Sequence, residues 1–247
     1  MISVCIASYN GAAFIGQQLA SILCQIGSGD EVVVSDDGST DGTPGIVRRL
    51  ADPRIRLVEG PRKGSPTLNF ERALSCAKGD IIFLADQDDV WKPTKVATCL
   101  AHLRRKPCVV SDAEMADDGL NMVRPSYFAA HGTRRGRLFN LFVRNGYMGC
   151  CMAFRRSVLD AALPFPAGIP MHDIWIGNVA AFMGGVDFIA QPLVAYRCHA
   201  ANNSPTARLK SDYTFAKKIT MRMATAKCLA QRLWQASNKG HGQTLEI

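Results

Sequence analysis

No two cysteines of this chain form a C-x-x-C pair, although nine are present, at 5, 24, 76, 99, 108, 150, 151, 198 and 228. Most sit inside apolar segments, so the expectation is reduced, packed thiols in a cytoplasmic protein, with neither a zinc site nor a disulfide framework. Long apolar runs are missing too, and none approaches the ~20 residues that a membrane span needs. The opening MISVCIASYNG is apolar, but it lacks a basic leader and reaches Asn10-Gly11 too soon for a signal peptide. Repeats and low-complexity tracts are absent. Charged residues make up 20 % and hydrophobic residues 47 %, a balance that excludes disorder. Acidic residues are the scarcer sign, 21 against 29 basic, yet the resulting +8 is uneven. Eight basic and only two acidic residues lie beyond Thr206, so the basic character belongs mainly to the tail.

What is present is rhythm. Apolar runs at 2–7, 31–35, 55–59, 80–84 and 107–111 read as strands, and 12–25, 42–51, 67–78 and 93–105 have helical spacing between them. Strand, helix, strand at this pitch predicts βαβ units, hence an α/β fold with a mostly parallel sheet and right-handed crossovers. Ligands in such sheets bind beyond the carboxyl ends of the strands. Three polar loops, SYNG, SDDGSTD and ADQDD, fall at such ends. After about residue 112 the rhythm breaks: a loop-like stretch, a helix at 137–145, a strand at 149–154, a helix at 173–184 and one or two strands over 187–199. This half is expected to extend the sheet and supply the second wall of a cleft. The reading is one domain over 1–205, with a nucleotide-binding half at 1–111 and an acceptor half at 112–205, followed by a basic helical tail at 206–247.

Two acidic clusters need a partner, because carboxylates at the ends of buried strands repel each other. Asp37-x-Ser39-x-Asp41-Gly42 imitates a calcium loop, but its twelfth position is Arg48 in place of the bidentate Glu, which argues against calcium. A turn that caps the helix opened by Pro44 explains Asp41 but not the adjacent Asp36 and Asp37. Asp86-x-Asp88-x-Val90 spells the nucleophile loop of haloacid-dehalogenase-type phosphatases, although there the loop ends the first strand of the fold. The same letters also read as a D-x-D loop for Mg²⁺ or Mn²⁺, with diphosphate oxygens completing the coordination. The cation then arrives with the substrate.

The segments SVCIASYNG, DDGSTDGT, NFERAL, GDIIFLADQDDVWKPTK, GCCMAFRR, HDIW and YRCHAANNS resemble, in order and spacing, the inverting family 2 glycosyltransferases of the GT-A fold. The resemblance covers residues 2 to about 204. The DQDDVW and YRCHAAN forms look most like the bacterial rhamnosyltransferase-like branch that builds surface polysaccharides. Transfer of L-rhamnose from dTDP-rhamnose to a lipid-linked acceptor is therefore implied, with a UDP- or GDP-sugar as the alternative donor. The resemblance implies that Tyr9 stacks near the base, Asp37 accepts the base N–H, Asp36 supports that loop and Asp86 reaches toward the ribose. It makes Asp88 the ligand of Mg²⁺ or Mn²⁺, His199 a second metal ligand or diphosphate contact, Arg197 a diphosphate contact and Asp173 the general base. Ala7 stands where many members carry a hydroxyl that contacts the base, and His172 stands where Glu is common.

Other readings compete for some of these residues. Asp173 at a helix start could be a cap, His199 a satisfied core histidine, and Trp175 either packing or a contact to an acceptor ring. Met148-Gly149 could line the acceptor pocket, since Gly permits close approach of substrate to backbone. In the tail, Phe215, Ile219, Ala226, Ala230 and Leu233 share one helical face with Lys218, Arg222 and Arg232 to one side. That pattern fits a helix packed on the domain, or an interfacial helix on an anionic membrane surface that holds a cytoplasmic enzyme at the inner face of the cell membrane. Nucleic-acid motifs are missing, so no nucleic-acid partner is expected. A non-catalytic protein that binds nucleotide or membrane is the reading from another class.

Overall fold

A computed structural model describes residues 1–198 and 214–242 of the chain. His199 therefore lies outside the described residues. Strands rich in Val, Ile and Leu, and buried on both faces, form the centre: β1 (Ile2–Ser8), β2 (Glu31–Asp36) and β4 (Ile81–Asp86). β1 pairs in parallel with β2 on one side and β4 on the other, and β2 pairs in parallel with β3 (Ile55–Glu59). The crossovers are α1 (Ile15–Leu23), α2 (Thr43–Arg49) and α3 (Pro66–Cys76). Pro66 opens α3, and the Ser65 side chain accepts from the Leu68 N–H, so the S-P pair starts this helix by capping and by a preset φ.

Beyond β4 come β5 (Val90–Trp91), α4 (Lys95–Leu103) and β6 (Cys108–Ala116), then β7 (Met122–Arg124), α5 (Tyr127–His131) and α6 (Arg137–Phe142). A 3₁₀ turn at Gly149–Cys151 leads into β8 (Met152–Arg155), followed by α7 (Arg156–Ala162), α8 (His172–Met183), β9 (Val186–Arg197) and α9 (Phe215–Gly242). One mixed sheet runs β3-β2-β1-β4-β8-β6-β9-β5, with β7 against β6. β8 is antiparallel to both β4 and β6, so it joins the two halves in a single sheet.

Register positions the site. Ala7 lies beside Ser35 on one neighbour and Asp86 on the other, and Ser8 lies beside Asp36. The parallel pairing thus brings the ends of β1, β2 and β4 to one edge, where their loops meet.

Two expectations are corrected. β6 extends to Ala116, through a stretch that reads as loop, because Asp112 at its bulged pairing with β9 is buried and accepts from Ala113 N–H, Phe128 N–H and Ser126 Oγ–H. The tail helix packs only part of the predicted face, Ala226 and Leu233, against the core. Thr225 and Leu229 are buried and Arg232 donates to the Ala161 and Leu163 carbonyls, whereas Phe215, Ile219 and Ala230 face outward.

Trp175 is also a core residue and not an acceptor contact. It is fully buried on α8, its indole N–H donates to the Ala162 carbonyl at 2.9 Å, and Arg232 lies over its ring. Trp175→Ala should therefore lower unfolding free energy by about 3–5 kcal/mol, measured by denaturant unfolding. A change in acceptor KM with unaltered stability would place this ring in the substrate site instead.

Candidate active site

Three loops are sewn together at the carboxyl edge. In the β1–α1 loop, Asn10 N–H donates to Ser39 Oγ, Gly11 N–H to Thr43 Oγ1 and Ala12 N–H to Asp41, while Asn10 Oδ1 accepts from Thr40 N–H. Gln87 clamps the third loop to the first in both directions: its Oε1 accepts from Tyr9 N–H and its Nε2 donates to the Tyr9 carbonyl, each at 3.0 Å. A Cβ at Gly11 would lie 2.2 Å from Gln87 Oε1 and would displace this clamp. Asp41 ties loops together and also accepts the N–H of Thr43, the first residue of α2, although the N-cap position itself is Gly42.

These loops and the second half enclose a cleft of about 1300 Å³. Ala7, Tyr9, Asp37, Asp86, Asp88, Met148, Gly149 and Asp173 all line it. Tyr9 is half exposed, as a ring available for stacking must be. Asp36 is buried behind the wall, where it accepts from Ser8 Oγ–H, Gly38 N–H, Ser39 N–H and Ser39 Oγ–H. Asp37 accepts from the Lys63 and Gly64 N–H groups, which ties the loop after β3 to the same wall.

Arg197 stands elsewhere than expected, and its assignment to a diphosphate is corrected. It is buried with its guanidinium stacked 4.8 Å from the Phe14 ring. Nε donates to the Asp88 carbonyl at 2.8 Å, Nη2 to Gln17 Oε1 and Nη1 to the Asp118 carbonyl, while its backbone N–H donates to Asp89 Oδ1. Arg197 braces the acidic loop from behind.

The acidic cluster is electrostatically loaded. Burial, reinforced by the charges of Asp88 and then Asp173, pushes the Asp86 carboxyl up to about 7, offset in part by a hydrogen bond with the Cys150 thiol. Asp89 is held well above the ordinary carboxylate range by burial and by its neighbours Asp88 and Asp86. Its Oδ2 is buried without a hydrogen-bond partner. Asp86, Asp89 and Cys150 bring ligand atoms within 4.8 Å of one another, and Asp88 lines the cleft beside them. An orphaned carboxylate oxygen among crowded carboxylates fits a hard divalent cation. Cys150 is the poor ligand of the set, since Mg²⁺ and Mn²⁺ favour oxygen. From below, the fully buried Lys95 donates to the Cys150 carbonyl at 3.1 Å and fixes the 3₁₀ turn.

Asp173 is on the first turn of α8 but does not cap it; the N-cap is Met171, with no side-chain bond. Its Oδ2 accepts from Gly149 N–H at 3.2 Å and its Oδ1 from Ile174 N–H at 2.7 Å. Burial outweighs these bonds and raises the carboxyl to about 6. Gly149 is needed for this approach: a Cβ there would lie 3.0 Å from His172 Nε2 and 3.4 Å from Asp173 Cβ. The close neighbours of Gly149 are thus the protein's own side chains. His172 is buried, stacks on Phe70 at 4.0 Å, and burial lowers it to about 3, so it is neutral.

The glycosyl transferase family 2 model matches residues 3–163, which hold the carboxyl ends of β1, β2 and β4. The chain belongs to glycosyl transferase family 2. Over 231 residues it is 27 % identical to an uncharacterized glycosyltransferase of Nostoc sp., covering 87 % of this chain and 70 % of that one. It is 32 % identical over 122 residues to the succinoglycan biosynthesis protein ExoO of Rhizobium meliloti, a match spanning 49 % of this chain and about a third, 34 %, of that relative. Glucosyl-3-phosphoglycerate synthase from Mycobacterium tuberculosis, solved with Mn²⁺, UDP and glucosyl-3-phosphoglycerate, superposes with a TM-score of 0.62 at 20 % identity, over 93 % of this chain and 79 % of that one. The fold is the GT-A type. In this family 2 chain the D-x-D letters end the fourth strand in sequence, which removes the ground for a phosphatase loop.

The glycosyltransferase site also uses residues that sequence reasoning passed over. Gln87 and Asn69 belong to quoted segments, and the buried Asn69 Nδ2 donates to the Ser8 carbonyl at 3.1 Å. Neither partner is near in sequence, so no local pattern marks them.

Asp86 and Asp173 have folded-state values of about 7 and about 6 against 3.8 for an ordinary Asp. Between those limits the native state holds more protons than the unfolded one, so stability falls as pH rises. Melting temperature in metal-free buffer should therefore drop between pH 5 and pH 7.5, and Mn²⁺ should raise it more at pH 7.5 than at pH 5. A metal-free melting curve that rises across this window would contradict the crowding of these carboxylates.

Proposed function

We propose that the protein moves a sugar from a nucleotide-diphospho-sugar to an acceptor hydroxyl with inversion at the anomeric carbon. The observation that carries this reading is the sharing of one cleft by two kinds of carboxylate. Asp173, from α8, stands alone with its backbone bonds, while Asp86, Asp88 and Asp89 crowd at the end of β4. ExoO is a succinoglycan biosynthesis protein by name, which supports a polysaccharide product.

The nucleotide lies along the sewn loops, with Tyr9 against the base and Asp37 as its hydrogen-bond acceptor. Asp86 faces the ribose. Asp88, with Asp86 and Asp89 beside it, would hold Mg²⁺ or Mn²⁺. Such an ion neutralises the charge that develops on a departing diphosphate. Asp173 accepts the proton of the acceptor hydroxyl as its oxygen bonds to C1 and the bond from C1 to the diphosphate breaks. A group with a value of about 6 is ionised at neutral pH and still basic enough to take that proton. Asp173 is the base, and no side chain is needed as a covalent nucleophile, so one in-line displacement inverts the centre. The DQDDVW and YRCHAAN forms of the motifs favour L-rhamnose from dTDP-rhamnose and a growing, lipid-linked bacterial surface polysaccharide as acceptor. A UDP-sugar is the second reading, favoured by the UDP in the M. tuberculosis structure.

Asp173→Asn should cut kcat by about 10²–10⁴-fold while nucleotide affinity is kept. In the wild type, kcat/KM should fall tenfold per pH unit below about 6. Turnover assays with dTDP-, UDP- and GDP-sugars, with the product anomer read by NMR, check both points. Retained configuration, or turnover that survives in Asp173→Asn, would overturn the mechanism.

A further inference from the structure

The wall of the cleft away from the nucleotide loops is cationic and comes from α9 and the end of α6. Lys218 and Arg222, both half-buried on α9, line the cleft with Arg144. Arg222 donates to the Val143 carbonyl and Arg144 to the His131 carbonyl at 2.6 Å, which tethers both guanidinium groups beside this wall. Among the described residues none of the three makes an ion pair with an acidic side chain. The carboxylates that line the cleft are Asp37, Asp86, Asp88 and Asp173, all on other elements.

An apolar stripe flanks these cations. Phe215, Ile219 and Met223 recur every four residues on α9 with 76 %, 44 % and 58 % exposure, one helical step around from Lys218 and Arg222. On the adjoining α6, Leu138 and Phe142 repeat the same spacing, and both are exposed together with Val143. Cations and exposed hydrocarbon side by side on two touching helices, with Val143 and Phe215 on the cleft lining beside the cations, match an amphiphile with an anionic head. We propose that Lys218, Arg222 and Arg144 form an acceptor subsite for a lipid-linked phosphate or diphosphate, whose hydrocarbon chain lies along the α6–α9 stripe. This deepens the proposed transferase reading by assigning the acceptor's anion to particular residues.

The test needs no catalysis, so its failure is separate from failure of the transferase reading. Farnesyl diphosphate is titrated into the full chain by calorimetry in EDTA, where the acidic cluster has no cation and repels phosphate. Binding is expected, at least tenfold tighter than that of farnesol or inorganic pyrophosphate. It should be weakened at least tenfold in the double variant Lys218→Ala/Arg222→Ala. Lys218→Ala alone, which removes no hydrogen bond to the main chain, should weaken it severalfold, with melting temperature as the control for folding. Equal affinity for farnesol would reduce the site to an apolar surface, and equal affinity for pyrophosphate would reduce it to a free-phosphate site. Either result, or farnesyl diphosphate binding that is unchanged in both variants, overturns the proposal.

Discussion

Repulsion among carboxylates at the end of β4 is the constraint on which the rest of the site depends. Asp86, Asp88 and Asp89 are forced together by a strand that cannot shift, because β4 is paired in register with β1 on one side and β8 on the other. Most of the surrounding structure holds this loop in place. Arg197 holds it through the main-chain carbonyls of Asp88 and Asp118. Gln87 clamps it to the Tyr9 backbone, Gln18 donates to the Asp86 carbonyl, and the Cys150 thiol reaches the carboxylates from the 3₁₀ turn. A loop held so firmly, with its carboxylates crowded, is what the proposed cation would require.

The second half of the chain answers this from across the cleft. β8 inserts between β4 and β6, and the turn before it delivers Gly149 to Asp173 and Cys150 to the acidic loop. One short turn therefore couples Asp173 to the acidic cluster. Lys95, buried beneath it, gives that turn a fixed floor.

Much of this was legible in the sequence, for physical reasons. The strands of the parallel half are continuous apolar runs, and their ends are marked by polar loops, so the edge that carries the site could be found without coordinates. The resemblance implied Asp36 as a loop support, and its carboxylate does accept the Gly38 and Ser39 N–H groups. What escaped were contacts made across long stretches of chain. Arg197 reads as a diphosphate contact until β9 is seen to pass behind the loop, and α8 decides between the two readings of Trp175 by burying it. β5, with two residues, and β7, with three exposed ones, are too short to show a period. The packed face of α9 was misjudged in part because Arg232, a residue that looks solvated, turns inward to cap the carbonyls after α7. Charge at a position says little about burial when main-chain carbonyls wait to accept it.

The most direct test of the central claim is thermal unfolding against dTDP, UDP, GDP and ADP, each with Mn²⁺ and with EDTA. A nucleotide at 100 times its dissociation constant adds ~2.7 kcal/mol, enough to move the melting temperature by degrees. The account predicts a shift for one nucleoside diphosphate that requires Mn²⁺ and disappears in Asp88→Asn. A shift of equal size in EDTA, or no shift with any nucleotide, would contradict it.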